Sequence, residues 1–248
     1  MNKAVGQRAL IASIALMLAA PVFAQQGEGT APDAGWRLVG DIGAGVNVAP
    51  VPASAQSRQT SAIPYLNADY GPVFARIDTF GVKLLPVGAG SVELLTRVLS
   101  DGYTPRGNAP GVQRRQDSLP VGLGTLQVTA AGAFMLNVYH DAGKSGGNLA
   151  DAMYAAEFDT GPLALYPQAG VEYRSSAYVR YFDGTPSSRP GAASSPFAAL
   201  FAEMHLGGRW YVNANVRRSW LGKAIRNSPL VRRSTLDSGL LALSYRFD

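Results

Sequence analysis

Two histidines, His140 and His205, are present, and there is no cysteine. Thiol catalysis, disulfides and cysteine-bound metal are therefore excluded, and a histidine-based metal site would need both imidazoles, which nothing marks as a pair. His140 is followed directly by Asp141. A histidine close to a carboxylate or hydroxyl can serve an outer-rim hydrolase acting on lipid, and a rim histidine touching water or headgroups is the simpler reading. Ala142-Gly143-Lys144-Ser145 has the ending of a phosphate loop, but Val138 stands where that loop needs its first glycine. Gly40, Gly43 and Gly45 lack dinucleotide spacing and open no helix. The sequence thus assigns no catalytic residue, no cofactor and no metal.

The charged residues that could act together are Glu93, Arg97, Glu157, Asp159, Glu172 and Arg174, which sit among apolar, glycine-rich segments. If their side chains point inward from a closed sheet, they form a polar network across a lumen; a narrow selective pore is the alternative. Carboxylates for glycoside hydrolysis need a defined separation that sequence cannot supply. A second group, Arg106, Arg114 and Arg115, makes segment 101–119 basic and a candidate partner contact.

The elements that must position these residues follow from alternation. Residues 1–24 have a basic start, a short apolar run and Val22-Phe23-Ala24, a signal-peptide pattern with cleavage after Ala24. Residues 25–34 read as a flexible polar tail and 35–248 as one domain. Formal charge is +5, two of which come from Lys3 and Arg8, and the remaining cations are scattered. That suits acidic lipid headgroups or an acidic polymer better than nucleic acid, which is not expected as a partner.

Period-two segments separated by Gly, Pro, Ser and Asn recur after the signal, and helical periodicity is almost absent. The last strand puts Leu241, Leu243, Tyr245 and Phe247 on one face and Leu240, Ala242, Ser244 and Arg246 on the other. An apolar medium on one side and a polar interior on the other fit a closed antiparallel transmembrane β-barrel, an all-β fold. Ten strands are read, at 36–48, 61–70, 73–84, 91–100, 121–140, 149–160, 162–183, 196–206, 209–220 and 236–247. This places the tight turns at Gly71-Pro72, Gly161-Pro162 and Gly207-Gly208 in the periplasm, and 49–60, 141–148, 184–195 and 221–235 outside. Segment 101–119 falls on the periplasmic side. Because 85–90 is short for an outer loop and 101–119 long for a periplasmic one, twelve strands stay open. Trp36, Tyr65, Tyr70, Tyr103, Tyr139, Tyr178, Tyr181, Trp210, Trp220 and Tyr245 read as aromatic girdles.

Three runs together resemble the MipA/OmpV family of outer-membrane proteins. They are Gly170 to Phe182, with Tyr178, Tyr181 and Phe182; Asn227 to Val231, with Ser228 and Pro229; and Arg115 to Gly124, with the closing strand ending at Phe247. The resemblance implies a non-enzymatic barrel in the outer membrane of a Gram-negative bacterium, inserted by the barrel assembly machinery that reads the terminal Phe. It further implies a scaffold joining a murein-cleaving lytic transglycosylase to a murein synthase, with outer-membrane lipids around it. Other members are discussed as porins or adhesins, so a small-solute channel is the alternative. The family brings no catalytic residues.

Overall fold

The computed structural model describes residues 36–50, 58–99, 102–103 and 111–248. The signal peptide 1–24, the tail 25–34 and Arg106 lie outside the described residues. Twelve strands run antiparallel in chain order: β1 (Leu38–Pro50), β2 (Arg58–Tyr70), β3 (Val73–Arg76), β4 (Thr79–Val87), β5 (Gly90–Arg97), β6 (Pro120–Thr129), β7 (Gly132–Asp141), β8 (Asn148–Ala155), β9 (Leu163–Arg174), β10 (Ala193–Gly207), β11 (Trp210–Trp220) and β12 (Thr235–Phe247). β12 pairs back onto β1 from Gly40 to Val48 and closes the ring. Phe158–Asp159 continue the line of β8 along β9. Among the described residues no helix is long and apolar enough to cross a membrane.

Alternation sets the faces. In β7, Phe134, Leu136 and Val138 are exposed to the outside, whereas Ala133, Asn137, Tyr139 and Asp141 are buried inside. β12 repeats this with Leu241 and Leu243 outward and Leu240, Ala242 and Ser244 inward. An exterior of Val, Leu and Phe around a polar interior is the inverse of a water-soluble protein and matches a hydrocarbon surround.

The strand count is twelve rather than ten, because two segments read as single strands are hairpins. Segment 73–84 breaks at Ile77-Asp78, with Ile77 at φ 56°. Segment 121–140 breaks at Ala130-Ala131, where the Thr129 hydroxyl donates to the Gly132 carbonyl and accepts the Ala131 N–H. Neither turn carries the Asn-Gly or Gly-Pro chemistry that betrays a hairpin. Each missed turn inverts the sides of everything after it, so the two cancel beyond residue 131. Only the stretch between them is reversed. The described part of segment 101–119 therefore stands at the end opposite the start of β1 and the finish of β12, and 85–90 contains the tight turn 88–89 at that terminal end. The short turns 71–72, 88–89, 130–131, 160–162 and 208–209 share that terminal end, while the turn at 77–78 and the connections 142–147, 175–192 and 221–234, with the described part of 98–119, face the other way.

A third correction concerns 162–183. Its strand β9 stops at Arg174, and Ser176–Asp183 form helix α1. A second, one-turn helix, α2, spans Lys223–Arg226. The girdle assignment splits as well. Trp36, Tyr70, Trp210 and Trp220 are exposed on the wall, but Tyr65, Tyr103, Tyr139 and Tyr178 are buried inside the molecule.

β3 covers only Asn67–Tyr70 of β2, and Ile77 N–H closes on the Leu66 carbonyl. No strand among the described residues pairs with that edge of β2 beyond Leu66. Pro64 occupies this edge two residues away, with the parity that leaves its missing N–H facing the uncovered side. An edge is where a strand tolerates proline.

Candidate functional site at the closed mouth and in the lumen

The lumen is built from inward charges on neighbouring strands. Arg76 of β3 holds Glu93 of β5 through two hydrogen bonds of 2.7 and 2.6 Å. Arg97 donates from Nε to Asp78 Oδ2 at 2.9 Å, and its Nη1 lies 3.7 Å from both Asp151 and Glu172. Glu172 also receives Arg217 Nη2 at 2.8 Å and lies 3.9 Å from Arg174 Nη2. Asn137 donates to Asp151 at 3.0 Å. Nearer the termini, Arg246 binds Asp41 through two bonds and Glu203 at 2.7 Å, with its guanidinium 3.7 Å above the Tyr211 ring.

Of the six residues marked in the sequence, Glu93, Arg97, Glu172 and Arg174 project into this interior. Arg97 and Arg174 meet at Glu172, whereas Glu93 is claimed by Arg76. Glu157 is exposed at the terminal end, where the Tyr166 hydroxyl reaches it at 3.3 Å. Asp159 is exposed and accepts the Gly161 N–H of the adjoining turn, so it stands apart from the network. Arg246 is placed on the inward face by the alternation of the last strand, whereas Asp41, Arg76, Asp78 and Asp151 join the interior without having been marked in the sequence. Inward parity was the signal for all but Asp78, which sits in the missed turn.

Aromatic rings fill part of the described interior. Tyr166 and Phe201 pack at 5.8 Å between ring centres, and Phe74, Leu95 and Tyr139 form another apolar cluster inside the ring. A cavity of about 20 Å³ beside Arg97, Asn137, Asp151, Glu172 and Arg217 is the size of a single water. Gln168 and Asn215 are 3% and 2% exposed, yet neither end of either amide has a hydrogen-bond partner among the protein atoms. Buried amides of this kind are satisfied by internal water.

Four segments among the described residues cover the mouth away from the strand termini. In α1, Tyr178, Val179 and Phe182 are buried. Tyr178 shares a 3.0 Å hydrogen bond with Ser118, Gln116 N–H donates to the Tyr181 hydroxyl at 3.0 Å, and Tyr103 donates to the Phe182 carbonyl at 2.6 Å. Arg115 donates to the Gly184 carbonyl at 3.2 Å and lies 5.2 Å from the Tyr181 ring. From the other side, the Ser228 hydroxyl donates to the Asp183 carbonyl, and Ile225, Leu221, Ala224 and Val231 pack on Val179 and Ala193. The loop after β7 joins through Gly147, where a Cβ would come within 2.5 Å of the Tyr178 backbone nitrogen. Burial pushes the Tyr103 phenol above its ordinary value, which keeps it a donor to the Phe182 carbonyl.

The two separate sequence runs around Tyr178 and Ser228, together with Arg115–Ser118, thus converge in one cap. Of the basic trio, Arg115 is built into it, Arg114 is exposed on it, and Arg106 lies outside the described residues. Pro229 is exposed beside Ser228, and Phe247 ends β12 at the opposite rim, 5.2 Å from Tyr245. His140 is exposed on the outer face, with Nδ1 2.8 Å from Asn148 Oδ1. Asp141 points the other way, binding the Leu119 and Gly143 N–H groups and Ser145, so the two form no dyad. Those same bonds consume the Gly143-Lys144-Ser145 loop that superficially suggested phosphate. His205 rests against Tyr211 at 4.9 Å and the Gly208 carbonyl at 3.0 Å.

The family model described as MltA-interacting protein MipA matches residues 42–247, which takes in every strand of the barrel wholly or in part. No curated protein matches the chain.

Proposed function

The chain belongs to the MipA family, and from that premise we propose that it is a non-enzymatic outer-membrane scaffold that holds a murein-cleaving lytic transglycosylase and a murein synthase. The observation that carries this reading is a lumen packed with paired charges and aromatic rings beneath a closed mouth, which leaves the end surfaces for function. The family description names an enzyme partner of the same class. Murein lies in the periplasm, so the contact belongs at the terminal end, where Glu157 and Asp159 are exposed. On this orientation segment 101–119 faces away from the murein, so deleting residues 104–117 is expected to leave co-purification with murein enzymes unchanged. Photo-crosslinking residues placed at Glu157, Asp159 and Arg114 in native envelopes test the assignment. Transglycosylase and synthase captured from the first two positions and not from Arg114 is the expected result; no capture from the terminal end rejects it.

A second reading, a small-solute channel, draws support from the unpartnered amides of Gln168 and Asn215. It requires single-channel steps in planar bilayers that change when Arg174 or Glu157 is neutralised. A silent bilayer excludes it.

A further inference from the structure

The exposed charges of the barrel are unequally divided between its ends. At the terminal end cations and anions are interspersed: the half-buried Lys83 and Asp69 pair at 2.9 Å, the exposed Arg209 and Asp248 at 3.4 Å, and Glu157 and Asp159 are exposed. At the other end Arg180 of α1, Lys223 and Arg226 of α2, and Arg232 and Arg233 beyond it are all exposed. None of the five forms an ion pair among the described residues. The carboxylates that could have neutralised them are already engaged or turned away. Asp237 is held by Arg218 at 2.7 Å, the exposed Asp117 accepts the Gly102 N–H at 2.9 Å, and Asp183 is only 6% exposed.

These cations belong to one surface, because Val179, Ala193, Ile225 and Val231 pack α1 onto the 221–234 segment beneath them. Their height on the barrel is fixed as well. Trp220, the last residue of β11, and Tyr173, next to last in β9, are exposed on the outer wall at 44% and 42%. Tryptophan and tyrosine at strand ends mark the headgroup layer, and Lys223 follows three residues after Trp220. A guanidinium presents paired donors that match the oxygens of a phosphate.

We propose that Arg180, Lys223, Arg226, Arg232 and Arg233 form a docking surface for the phosphate-bearing headgroup of an outer-leaflet lipid. The placement of this end in the outer leaflet rests on the orientation used above, but the recognition chemistry does not. An anionic lipid held here would neutralise the patch and clamp the two loops that close the mouth. Several cations at an anionic membrane surface act together, so their combined loss is large.

The test compares the wild-type protein with a variant in which all five residues are Gln, both in detergent and then in phosphatidylcholine nanodiscs containing diphosphorylated or dephosphorylated lipid A. Retained lipid is counted by native mass spectrometry, and heat-modifiable migration on gels verifies that the variant is folded. Wild-type protein is expected to retain the diphosphorylated form at least about tenfold better than the dephosphorylated form, and the variant to lose that preference. A Lys substitution at all four arginines keeps most of it, which separates loss of charge from loss of fold. Equal retention by wild type and the Gln variant overturns the proposal. So does displacement of the lipid by inorganic phosphate alone, which would make this a free-anion site.

Discussion

Glu172 is the carboxylate of the lumen on which Arg217, Arg97 and Arg174 all converge. Breaking a buried ion pair from one side costs more than removing both partners, because it strands a charge. Glu172→Gln is therefore expected to destabilise the folded barrel by about 3 kcal/mol in denaturant unfolding. Replacing Glu172 and Arg217 together by Leu and Met should recover most of that loss, and a double variant as weak as the single one would remove the network from the account. At Tyr103 the sign of a pH effect can be stated. Its folded-state pKa is raised by burial, so the stability it contributes is complete below the ordinary tyrosine range and is lost as pH rises through the raised value. Protection of the cap amides, taken as the intrinsic base-catalysed exchange rate divided by the observed rate at each pH, should thus be constant from neutral pH up to about 10 and fall above that in the wild type. Tyr103→Phe should remove the alkaline step; the same step in the variant assigns it elsewhere. Inward parity made Glu93, Arg97, Glu172 and Arg174 readable in the sequence. Which arginine meets which carboxylate was not readable, because that depends on strand register and stagger.

Among the elements, the strands were legible wherever a turn announced itself, as at Gly71-Pro72 and Gly207-Gly208. They were not where a hairpin turned on Ala130-Ala131 or on Ile77-Asp78. The length of 121–140 was the available clue, since a transmembrane strand needs about 10 residues. Helix α1 was hidden for a different reason. Tyr178, Val179, Tyr181 and Phe182 have the aromatic and β-branched composition of a strand. The helical sign is the buried set Tyr178, Val179 and Phe182, which repeats at helical rather than period-two spacing. How tightly α1 is seated can be tested at Gly147. Gly147→Val should push α1 off the mouth and expose the cap to protease, with the barrel still heat-modifiable. A cap as resistant as wild type would mean that α1 is not held against this loop.

At the scale of the whole molecule, the family signature and the fold explain one another. Runs that are far apart in the chain, around Ser118, Tyr178 and Ser228, are joined by side-chain hydrogen bonds in a single cap. The wall needs only alternation, which many sequences provide, whereas the cap needs particular partners. Sequence identified the barrel and the family but inverted the stretch between the two missed turns, and that stretch carried the proposed partner contact. A scaffold role at the terminal end requires the turns 71–72, 130–131 and 208–209 to face the periplasm and the cap to face outward. The chain has no cysteine, so single cysteines report position cleanly. Arg114→Cys and Asp159→Cys, challenged in intact cells with a membrane-impermeant maleimide, measure this directly. Labelling of Arg114→Cys in intact cells, with Asp159→Cys reacting only after the outer membrane is permeabilised, is the predicted result. Labelling of Asp159→Cys in intact cells while Arg114→Cys stays protected would contradict it.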